Sequence, residues 1–595
     1  MVNIPLSFVT LSILSFITLS LAQQSPTFQT TYGPVYGTTI NNVYVYGSIP
    51  FAAPPTGNLR FQAPHAPTVW TNPLNVTDYA PACPQLKLDE TLFIGQEDCL
   101  YLAVYVPVAA YNAAKAQGTS LPVMHYIYGG AFILGDTQEF GFYNGINLAL
   151  RRGVIVVASN YRVGPFGFTA LPALQQEDPD HSTGNAAMQD QRFALQWTQQ
   201  NIGNFGGDNQ RVTIFGESAG GFSICYHMAS AASKGLFHAA IMESGSCDSP
   251  AFFQPLSMAV NFSVMYASAL GCNQSDSDAQ VTCLRSLSTS DMMTSILSWF
   301  NPNWPFNNTP NYNNYPTLKE YYKQVTGLSN EYIPTILPSL TPVFPWGPAI
   351  DGTAVGLQSL PYQNLLHGNY NQVPWIIGTN RNEGSIFIPL LPLIIANTSF
   401  PPAGPQDLEA FVRRMLNLYN TTLVNQLAIQ AVNFYNISNY PNNNYGAMGT
   451  DMLTHYFFTC SARRAARAAS KNSTVYYYQF SYELDWIEYL LLGDYHSSEL
   501  DFVFNNQWPP ILHDFSANDQ NVSDTMTLYW TNFAAGGDPN YPYSSDTPPI
   551  VWPEYDNEAD VNIQLELPMG LTAGLLEKQC NFWDSVFMQT TGNGL

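Results

Sequence analysis

Basic side chains are scarce in this sequence. Its 595 residues include 20 Lys and Arg against 43 Asp and Glu, which gives a formal net charge of −23 at pH 7. Nucleic acids and anionic membranes bind basic surfaces, so the sequence predicts neither as a partner. We expect the acidic excess to serve solubility instead.

Metal-binding spacings are absent as well. The eight cysteines form no C-x-x-C pair and no cluster with histidines at zinc-ligand spacing, so the sequence predicts no metal and no cofactor. An even number of cysteines is typical of disulfide-bonded, exported proteins. Two pairs are close enough along the chain to close small loops: Cys83 with Cys99, and Cys272 with Cys283.

Gly/Ser linkers, charge blocks and internal repeats are also missing, so nothing divides the chain into several domains. Apolar residues make up 46% of the sequence and charged residues 11%, which suits one large core. We therefore expect residues 23–595 to form a single enlarged α/β domain.

Long apolar runs are confined to the first residues. Residues 6–22 are apolar with interspersed Ser and Thr, and Ser20-Leu21-Ala22 is similar to a signal-peptide cleavage site. The run is too short and too rich in serine for a membrane anchor. We predict a signal peptide over residues 1–22, a secreted, extracellular protein, and no stable membrane anchor.

Secretion agrees with the many acceptor sequences for N-glycosylation. Nine Asn-x-Ser/Thr sites occur, at Asn75, Asn261, Asn273, Asn307, Asn397, Asn420, Asn436, Asn472 and Asn521. The sequence does not tell which of them carry a glycan.

Strand-like and helix-like segments alternate through the chain, which predicts a mostly parallel sheet flanked by helices. Strand patterns occur at 100–106, 122–127, 154–158, 212–215, 237–242 and 375–378, and a helix is predicted over 186–201. Before them, segments 33–37 and 43–46 with a tight turn at Asn41-Asn42 predict an antiparallel hairpin. Residues 296–345 are rich in Asn, Pro, Tyr and Trp, and predict a long insertion above the sheet.

The run Val212-Thr-Ile-Phe-Gly216-Glu-Ser218-Ala-Gly220 matches the G-x-S-x-G nucleophile elbow. Its β-branched, apolar start indicates a buried strand, and the small residues after it indicate a helix packed closely on the sheet. The turn exposes the Ser218 hydroxyl at a helix N-terminus, where backbone N–H groups favour negative charge. Ser218 is therefore the candidate nucleophile of an enzyme that forms an acyl-enzyme.

A serine nucleophile needs a base and an acid that orients the base, and in this setting both follow the serine in the chain. His496 lies in a polar loop between apolar segments and is the candidate base, with His513 in a similar loop as the alternative. Glu383 lies just beyond the strand that begins at Trp375 and is the candidate acid. The Gly-Gly turn after Ile127 predicts an oxyanion hole formed by the N–H groups of Gly130, Ala131 and Ala219.

Several short motifs resemble type-B carboxylesterases, the cholinesterase-like and fungal-lipase-like branch of the α/β hydrolases. The resemblance covers nearly all of the mature chain and rests on segments 47–52, 59–61, 96–102, 160–162, 184–185, 190–191, 204–208, 378–384, 532–534 and 537–540. It implies the α/β-hydrolase fold, with a large, mostly parallel central sheet, flanking helices, an N-terminal antiparallel hairpin and long insertions above the sheet.

The resemblance also implies specific residue roles. Ser218, Glu383 and His496 become the triad, and His496 is favoured over His513. The family pattern further implies the disulfides Cys83–Cys99, Cys272–Cys283 and Cys460–Cys580, and a stabilising pair between Arg60 and Glu97. It leaves open whether Cys225 and Cys247 pair or stay free.

Two departures from the family pattern bear on the substrate. Ala131 replaces the usual third glycine of the oxyanion loop and narrows the site. The loop between Cys83 and Cys99 has only 15 residues and no tryptophan, which argues against a large lipase lid and against choline specificity.

The expected function is therefore a serine carboxylic ester hydrolase acting on a small-molecule or lipid ester. Three alternatives remain. A lipase or sterol esterase could use an apolar gorge built from Phe132 and segments 388–395 and 490–492, and a phenolic (hydroxycinnamate) esterase could use the Tyr- and Trp-rich insertion. A non-catalytic adhesion protein of the same fold is the alternative from another class. The oligomeric state does not follow from the sequence.

Overall fold

The computed structural model describes residues 23–86, 93–249, 252–293, 346–387, 402, 404–416, 421–483, 492–507 and 514–591. The predicted signal peptide and the predicted 296–345 insertion lie outside these residues, as do His513 and segment 388–395.

The centre of the fold is a twelve-stranded sheet. We number its strands in chain order: β1 Gln23–Gln24, β2 Thr38–Ile40, β3 Val43–Pro50, β4 Tyr101–Pro107, β5 Leu121–Ile127, β6 Ile155–Ser159, β7 Gly207–Glu217, β8 Ala239–Glu243, β9 Trp375–Asn380, β10 Val475–Phe480, β11 Val561–Leu565 and β12 Gly570–Ala573. Their spatial order is β1-β2-β3-β4-β6-β5-β7-β8-β9-β10-β11-β12.

The strands from β6 to β11 run parallel, and the two flanks are antiparallel. Every residue of β5, β6, β8, β9 and β10 is buried, as expected for parallel strands covered on both faces. This is the α/β-hydrolase fold predicted above. The carboxyl ends of β5, β7, β8 and β9 meet at one edge, where ligands bind in such sheets.

The helices cover both faces of the sheet. Their bounds are α1 Val108–Gln117, α2 Ile146–Arg152, α3 Gly164–Phe168, α4 Pro172–Glu177, α5 Ala186–Asn201, α6 Ala219–Ala229, α7 Leu256–Ala269, α8 Ser277–Ser286, α9 Pro361–His367, α10 Pro405–Leu416, α11 Thr421–Phe434, α12 Tyr445–Leu453, α13 Cys460–Ala469, α14 Leu500–Phe504, α15 Ala517–Gly536 and α16 Glu577–Thr591. A π-helix over Thr454–Thr459 joins α12 to α13. Within the described residues, none of the helices is long and apolar enough to cross a membrane.

The N-terminal hairpin forms with a shifted first arm. Asn41 and Asn42 adopt φ values of 48° and 60°, which suits a two-residue hairpin turn, and β2 pairs with β3. Segment 34–36, predicted as part of this arm, instead belongs to a separate three-stranded sheet with 28–29 and 74–75. Gly37 lies between the two segments, and only glycine fits there, since a Cβ would lie 1.9 Å from the Val45 carbonyl oxygen.

Four disulfides connect the described chain. Three are the pairs that the resemblance implies, Cys83–Cys99, Cys272–Cys283 and Cys460–Cys580. The fourth joins Cys225 in α6 to Cys247 beyond β8, a question that the sequence left open. It connects the helix after the elbow to the loop that follows the neighbouring strand.

Candidate active site

Ser218 occupies a tight turn between β7 and α6. Its backbone has φ 56° and ψ −122°, a combination that residues other than glycine rarely adopt. A Cβ at Gly220 would lie 2.0 Å from the Ile127 carbonyl oxygen, and one at Gly216 would lie 2.6 Å from the same atom. Only glycine therefore fits on either side of this turn.

The turn lifts Ser218 out of its surroundings. From Val212 to Met228, Ser218 is the one residue that is not fully buried. Its backbone N–H donates to the Glu243 carbonyl oxygen at 3.0 Å, which fixes the turn against β8. The sequence pattern of a buried strand, glycines and small helical residues thus produces an accessible hydroxyl on a rigid support.

Glu383 lies directly beyond β9 and is fully buried. Its Oε1 accepts hydrogen bonds from the Ser244 hydroxyl at 2.6 Å and from the Asn380 N–H at 2.7 Å. Its Oε2 lies 2.6 Å from Nδ1 of His496. Three donors therefore hold one carboxylate in place, and one of them is the candidate base.

His496 is 6% exposed and lies in the loop between β10 and α14. Since Nδ1 donates to Glu383, the neutral ring carries its lone pair on Nε2, as a general base requires. Nε2 is buried and has no hydrogen-bond partner among the described residues. It lies 3.1 Å from Oε1 of Glu217, the residue before Ser218, but without hydrogen-bond alignment.

Two aromatic rings pack against the imidazole. The ring centroids of Phe387 and Phe458 lie 4.9 and 4.8 Å from that of His496. Phe458 is part of the π-helix, whose Thr454 hydroxyl also accepts the N–H of Gly384, next to Glu383. A π-helix is often found at a functional site, and this one contacts the surroundings of both candidate residues.

The candidate oxyanion loop begins where β5 ends. Gly130, Ala131 and Phe132 all have positive φ values, of 103°, 54° and 62°. A Cβ at Gly129 would lie 3.0 Å from Cβ of Ser218, so this loop packs directly on the candidate nucleophile. Among the described residues, no acceptor takes the N–H groups of Gly130, Ala131 or Ala219.

Three buried glutamates surround these groups, and the sequence did not single them out. Burial raises the pKa of Glu217 well above its usual value, although a hydrogen bond from Ser497 opposes the rise. Burial raises the pKa of Glu243 to about 8, and that of Glu499 well above its usual value. Glu217 lies within the nucleophile-elbow motif, and Glu499 lies three residues after His496. Their closeness in sequence to the candidate residues was the signal that could have identified these two glutamates.

The remaining predicted residues are placed as follows. Arg60 forms two hydrogen bonds with Glu97, at 2.5 and 2.8 Å. Phe132 is buried and packs edge-on against Phe168 in α3, so it belongs to the core beside the oxyanion loop. Of segment 490–492, only Leu492 lies within the described residues. No three His, Cys, Asp or Glu side chains in the described part of the chain are placed to hold a metal ion.

The sequence model described as the carboxylesterase family matches residues 24–583 of the chain. This chain belongs to the carboxylesterase family. It is 30% identical to the human (Homo sapiens) cocaine esterase over 589 residues, which cover 95% of this chain and 92% of that protein. It is also 30% identical to acetylcholinesterase 1 of Caenorhabditis elegans over 573 residues, covering 90% and 83%.

Solved structures agree with this assignment. A pNB esterase of 29% sequence identity superposes with a TM-score of 0.70 and covers 94% of this chain and 99% of its own. The chain is thus a carboxylic ester hydrolase of the carboxylesterase family.

Proposed function

We propose that this carboxylesterase-family protein is a secreted serine esterase that works through Ser218, His496 and Glu383. The observation that carries the proposal is the orientation of His496. Its Nδ1 is committed to Glu383 at 2.6 Å, and its Nε2 is left without a hydrogen-bond partner beside the residue that precedes Ser218.

The reaction follows from these positions. Nε2 of His496 takes the proton of Ser218, and the serine oxygen attacks the ester carbonyl. The oxyanion that forms is held by the N–H groups of Gly130, Ala131 and Ala219, at the start of a helix whose dipole favours negative charge. Glu383 stabilises the imidazolium.

The imidazolium then returns its proton to the leaving alcohol, which departs and leaves an acyl group on Ser218. Water enters, loses a proton to Nε2 and attacks the acyl carbonyl. The acid departs, and Ser218 regains its proton from His496. None of these reaction steps uses a cofactor.

The decisive test is Ser218→Ala. The variant should fold and be secreted like the parent, yet lose ester turnover by at least about 10³-fold, because the acyl-enzyme can no longer form. A fluorophosphonate should label the parent on the peptide that contains Ser218 and leave the variant unlabelled. The matched control is Ser223→Ala, which removes a buried hydroxyl one turn further along α6 and should keep activity.

Turnover retained by purified Ser218→Ala, after contaminating esterases have been excluded, would reject Ser218 as nucleophile. A parent protein that neither hydrolyses esters nor reacts with the fluorophosphonate would favour the non-catalytic adhesion role instead.

We propose small soluble esters, rather than lipid aggregates, as substrates. The loop closed by Cys83–Cys99 pairs segment 85–86 with 93–94 as a short hairpin. The Gln85 amide both donates to the Gly135 carbonyl oxygen and accepts the Gly135 N–H, which attaches this loop to the oxyanion loop. The described arms of this loop are therefore paired with each other and attached to the oxyanion loop, which supports a substrate site without a large mobile lid.

A kinetic panel tests the substrate class. Short-chain esters, long triglycerides, sterol esters and hydroxycinnamate esters should be compared at concentrations below and above the solubility limit. We expect saturation on soluble short-chain esters and no jump in rate when a substrate forms aggregates. A rate that rises sharply at the solubility limit identifies a lipase, and a preference for hydroxycinnamates identifies a phenolic esterase.

Secretion is part of the proposal and is supported by the four disulfides. Asn75, Asn273, Asn436, Asn472 and Asn521 are exposed, Asn261 is half-buried, and the other three acceptors lie outside the described residues. The mass of protein from a eukaryotic secretion host should therefore fall on treatment with N-glycosidase. An unchanged mass, or a product retained in the cytosol, would count against this part of the proposal.

A further inference from the structure

Ser497, directly after His496, adopts a strained backbone conformation. Its φ is 75°, in the left-handed region where a glycine would be unstrained. Its hydroxyl donates to Oε1 of Glu217 at 2.7 Å. Glycine would relieve the strain but lose this hydrogen bond, so the side chain points to a role for the contact.

The same carboxylate oxygen lies close to the candidate base. Oε1 of Glu217 is 3.1 Å from Nε2 of His496, and Nε2 is buried without a hydrogen bond. The two atoms are already within hydrogen-bond distance and lack only the alignment, which a change in the orientation of the carboxyl group would supply. Nε2 would then face Glu217 instead of the proton of Ser218.

We propose that Ser497 is a positioning residue whose hydroxyl holds the carboxyl group of Glu217 and prevents it from sharing a proton with Nε2 of His496. The inference rests on the proposed triad and assigns no direct contact with substrate to Ser497.

The surroundings make proton sharing the default in the absence of the hydroxyl. Glu217 faces the carboxyl groups of Glu139, Glu243 and Glu383, and Glu499, the residue before α14, faces Glu217 in turn. Three phenols also face Glu217: that of Tyr126 in β5, that of Tyr143 in the loop before α2, and that of Tyr478 in β10. None of these seven groups is a cation, so the imidazole is the nearest basic partner for Glu217.

Losing the hydroxyl has a defined consequence for the protons. Once Glu217 and Nε2 are aligned, one proton is shared between them, whether it is counted on the carboxyl or on the ring. The base is available only after that proton has left. The acid limb of the pH profile of kcat/KM should therefore move to higher pH.

The experiment compares Ser497→Gly and Ser497→Ala with the parent on a soluble ester. In both variants the midpoint of the acid limb should rise by about one pH unit, while the plateau at high pH stays near the parent value. On the acid limb this is a loss of roughly tenfold in kcat/KM. Ser498→Ala, which removes the neighbouring buried hydroxyl, is the matched control and should leave the limb in place.

If Ser497 had only a structural role, the shift of the acid limb would follow the change in stability of each variant. The proposal predicts that the two quantities are independent. Ser497→Gly relieves the backbone strain and Ser497→Ala retains it, so their melting temperatures should differ while their acid limbs move together. The double variant Ser497→Gly with Glu217→Gln should bring the limb back toward the parent, because the shared proton has been removed. An unmoved limb in both single variants, or a shift that persists in the double variant, overturns the proposal.

Two controls separate this inference from the proposed triad. If the variants turn over too slowly, the pH dependence of fluorophosphonate labelling measures the basicity at Ser218 without turnover. If Ser218→Ala is inactive and unlabelled but Ser497→Gly has the parent profile, only the present inference fails. If Ser218→Ala remains active, the triad fails as well.

Discussion

The fold buries carboxyl groups in two places and treats them differently. In the first, which we call the arginine-paired group, Arg464 in α13 donates from Nε to Asp248 and from Nη1 to Asp584, both at 2.6 Å. The second, which we call the carboxyl-only group, consists of the buried residues Glu217, Glu243 and Glu499; Glu217 and Glu499 interact electrostatically with Glu243 and with Glu383 of the candidate site. No arginine or lysine of the described part of the chain forms an ion pair with them.

The presence or absence of a cationic partner decides how each buried carboxyl group affects stability and its surroundings. A guanidinium beside a buried carboxyl group favours its charged form and holds it in one geometry. At Asp584 burial raises the pKa, and Arg464 opposes that rise. A buried carboxyl group without a cation avoids the cost of burial by keeping its proton. A guanidinium beside His496 would oppose the imidazolium that the proposed mechanism forms. The carboxyl-only group lowers stability at neutral pH but places no positive charge beside the base.

The largest expected effect of this difference is on the pH dependence of stability. Burial raises the folded-state pKa of Glu243 to about 8 and that of Glu139, a further carboxyl group outside both groups, to about 7. Between about pH 4.5 and these values the folded chain binds more protons than the unfolded chain, so stability falls as pH rises.

Buried histidines act in the opposite direction. Burial lowers the pKa of His125, His227 and His455 to about 3, against about 6.5 when unfolded. Below about pH 6.5 the unfolded chain binds more protons, so stability falls as pH drops. The two effects oppose each other between about pH 4.5 and 6.5, so we expect the thermal unfolding midpoint to be highest within that interval and to fall by several degrees on either side. Calorimetry at a fixed scan rate measures it, and a maximum above pH 7 would contradict the account.

The next largest effect is expected from the arginine-paired group. Arg464→Met removes the shared cation and leaves two buried carboxyl groups uncompensated, which should cost about 3 to 5 kcal/mol of unfolding free energy at pH 7. Urea unfolding followed by tryptophan fluorescence measures the loss. A cost below about 1 kcal/mol would mean that the pairing contributes little, and the contrast with the carboxyl-only group would disappear.

A smaller and pH-dependent effect is expected from Glu243→Gln. One carboxyl oxygen of Glu243 accepts the Trp530 indole N–H, and the other has no partner among the described residues. Because the parent carboxyl is protonated at mildly acidic pH, the neutral amide should be near parent stability at pH 5. At pH 8 it should be more stable by roughly 2 kcal/mol, since it no longer retains a proton that the unfolded chain has lost.

Asp584→Asn is the matched control for that substitution. It removes the charge of a carboxyl group that pairs with Arg464, so it should destabilise the protein at both pH values. If Glu243→Gln changed stability equally at pH 5 and pH 8, Glu243 would not be the proton-retaining group described here.

Local patterns in the sequence predicted the parts of the fold that depend on local physics. The apolar period of residues 186–201 has the bounds of α5, and the strand patterns at 122–127 and 375–378 correspond to β5 and β9. Strong patterns of this kind survive because the chain is locally consistent with its tertiary structure. The prediction of the first hairpin arm at 33–37 was wrong. Segment 34–36 pairs in a separate sheet, and residues 38–40, on the other side of Gly37, form the arm that pairs with β3.

The candidate site follows the same division. Ser218 and Glu383 were predicted from their positions just beyond strands, and His496 from its polar loop and the family resemblance. Their catalytic roles remain predictions. The carboxyl-only group was missed, because Glu217, Glu243 and Glu499 converge only after several strands have been aligned. Periodicity marks positions as buried, but it does not tell which buried polar groups will meet.

The smallest effect should come from an ion pair at the surface. Arg151 in α2 pairs with Asp524 in α15, and the two side chains are 36% and 40% exposed. Water already solvates both charges, so Arg151→Ala should cost less than about 1 kcal/mol, and less again at high salt. Urea unfolding measured beside Arg464→Met at two salt concentrations compares the two arginines directly. Equal losses for both would show that burial does not decide the value of pairing in this protein, and the carboxyl-only group would need another explanation.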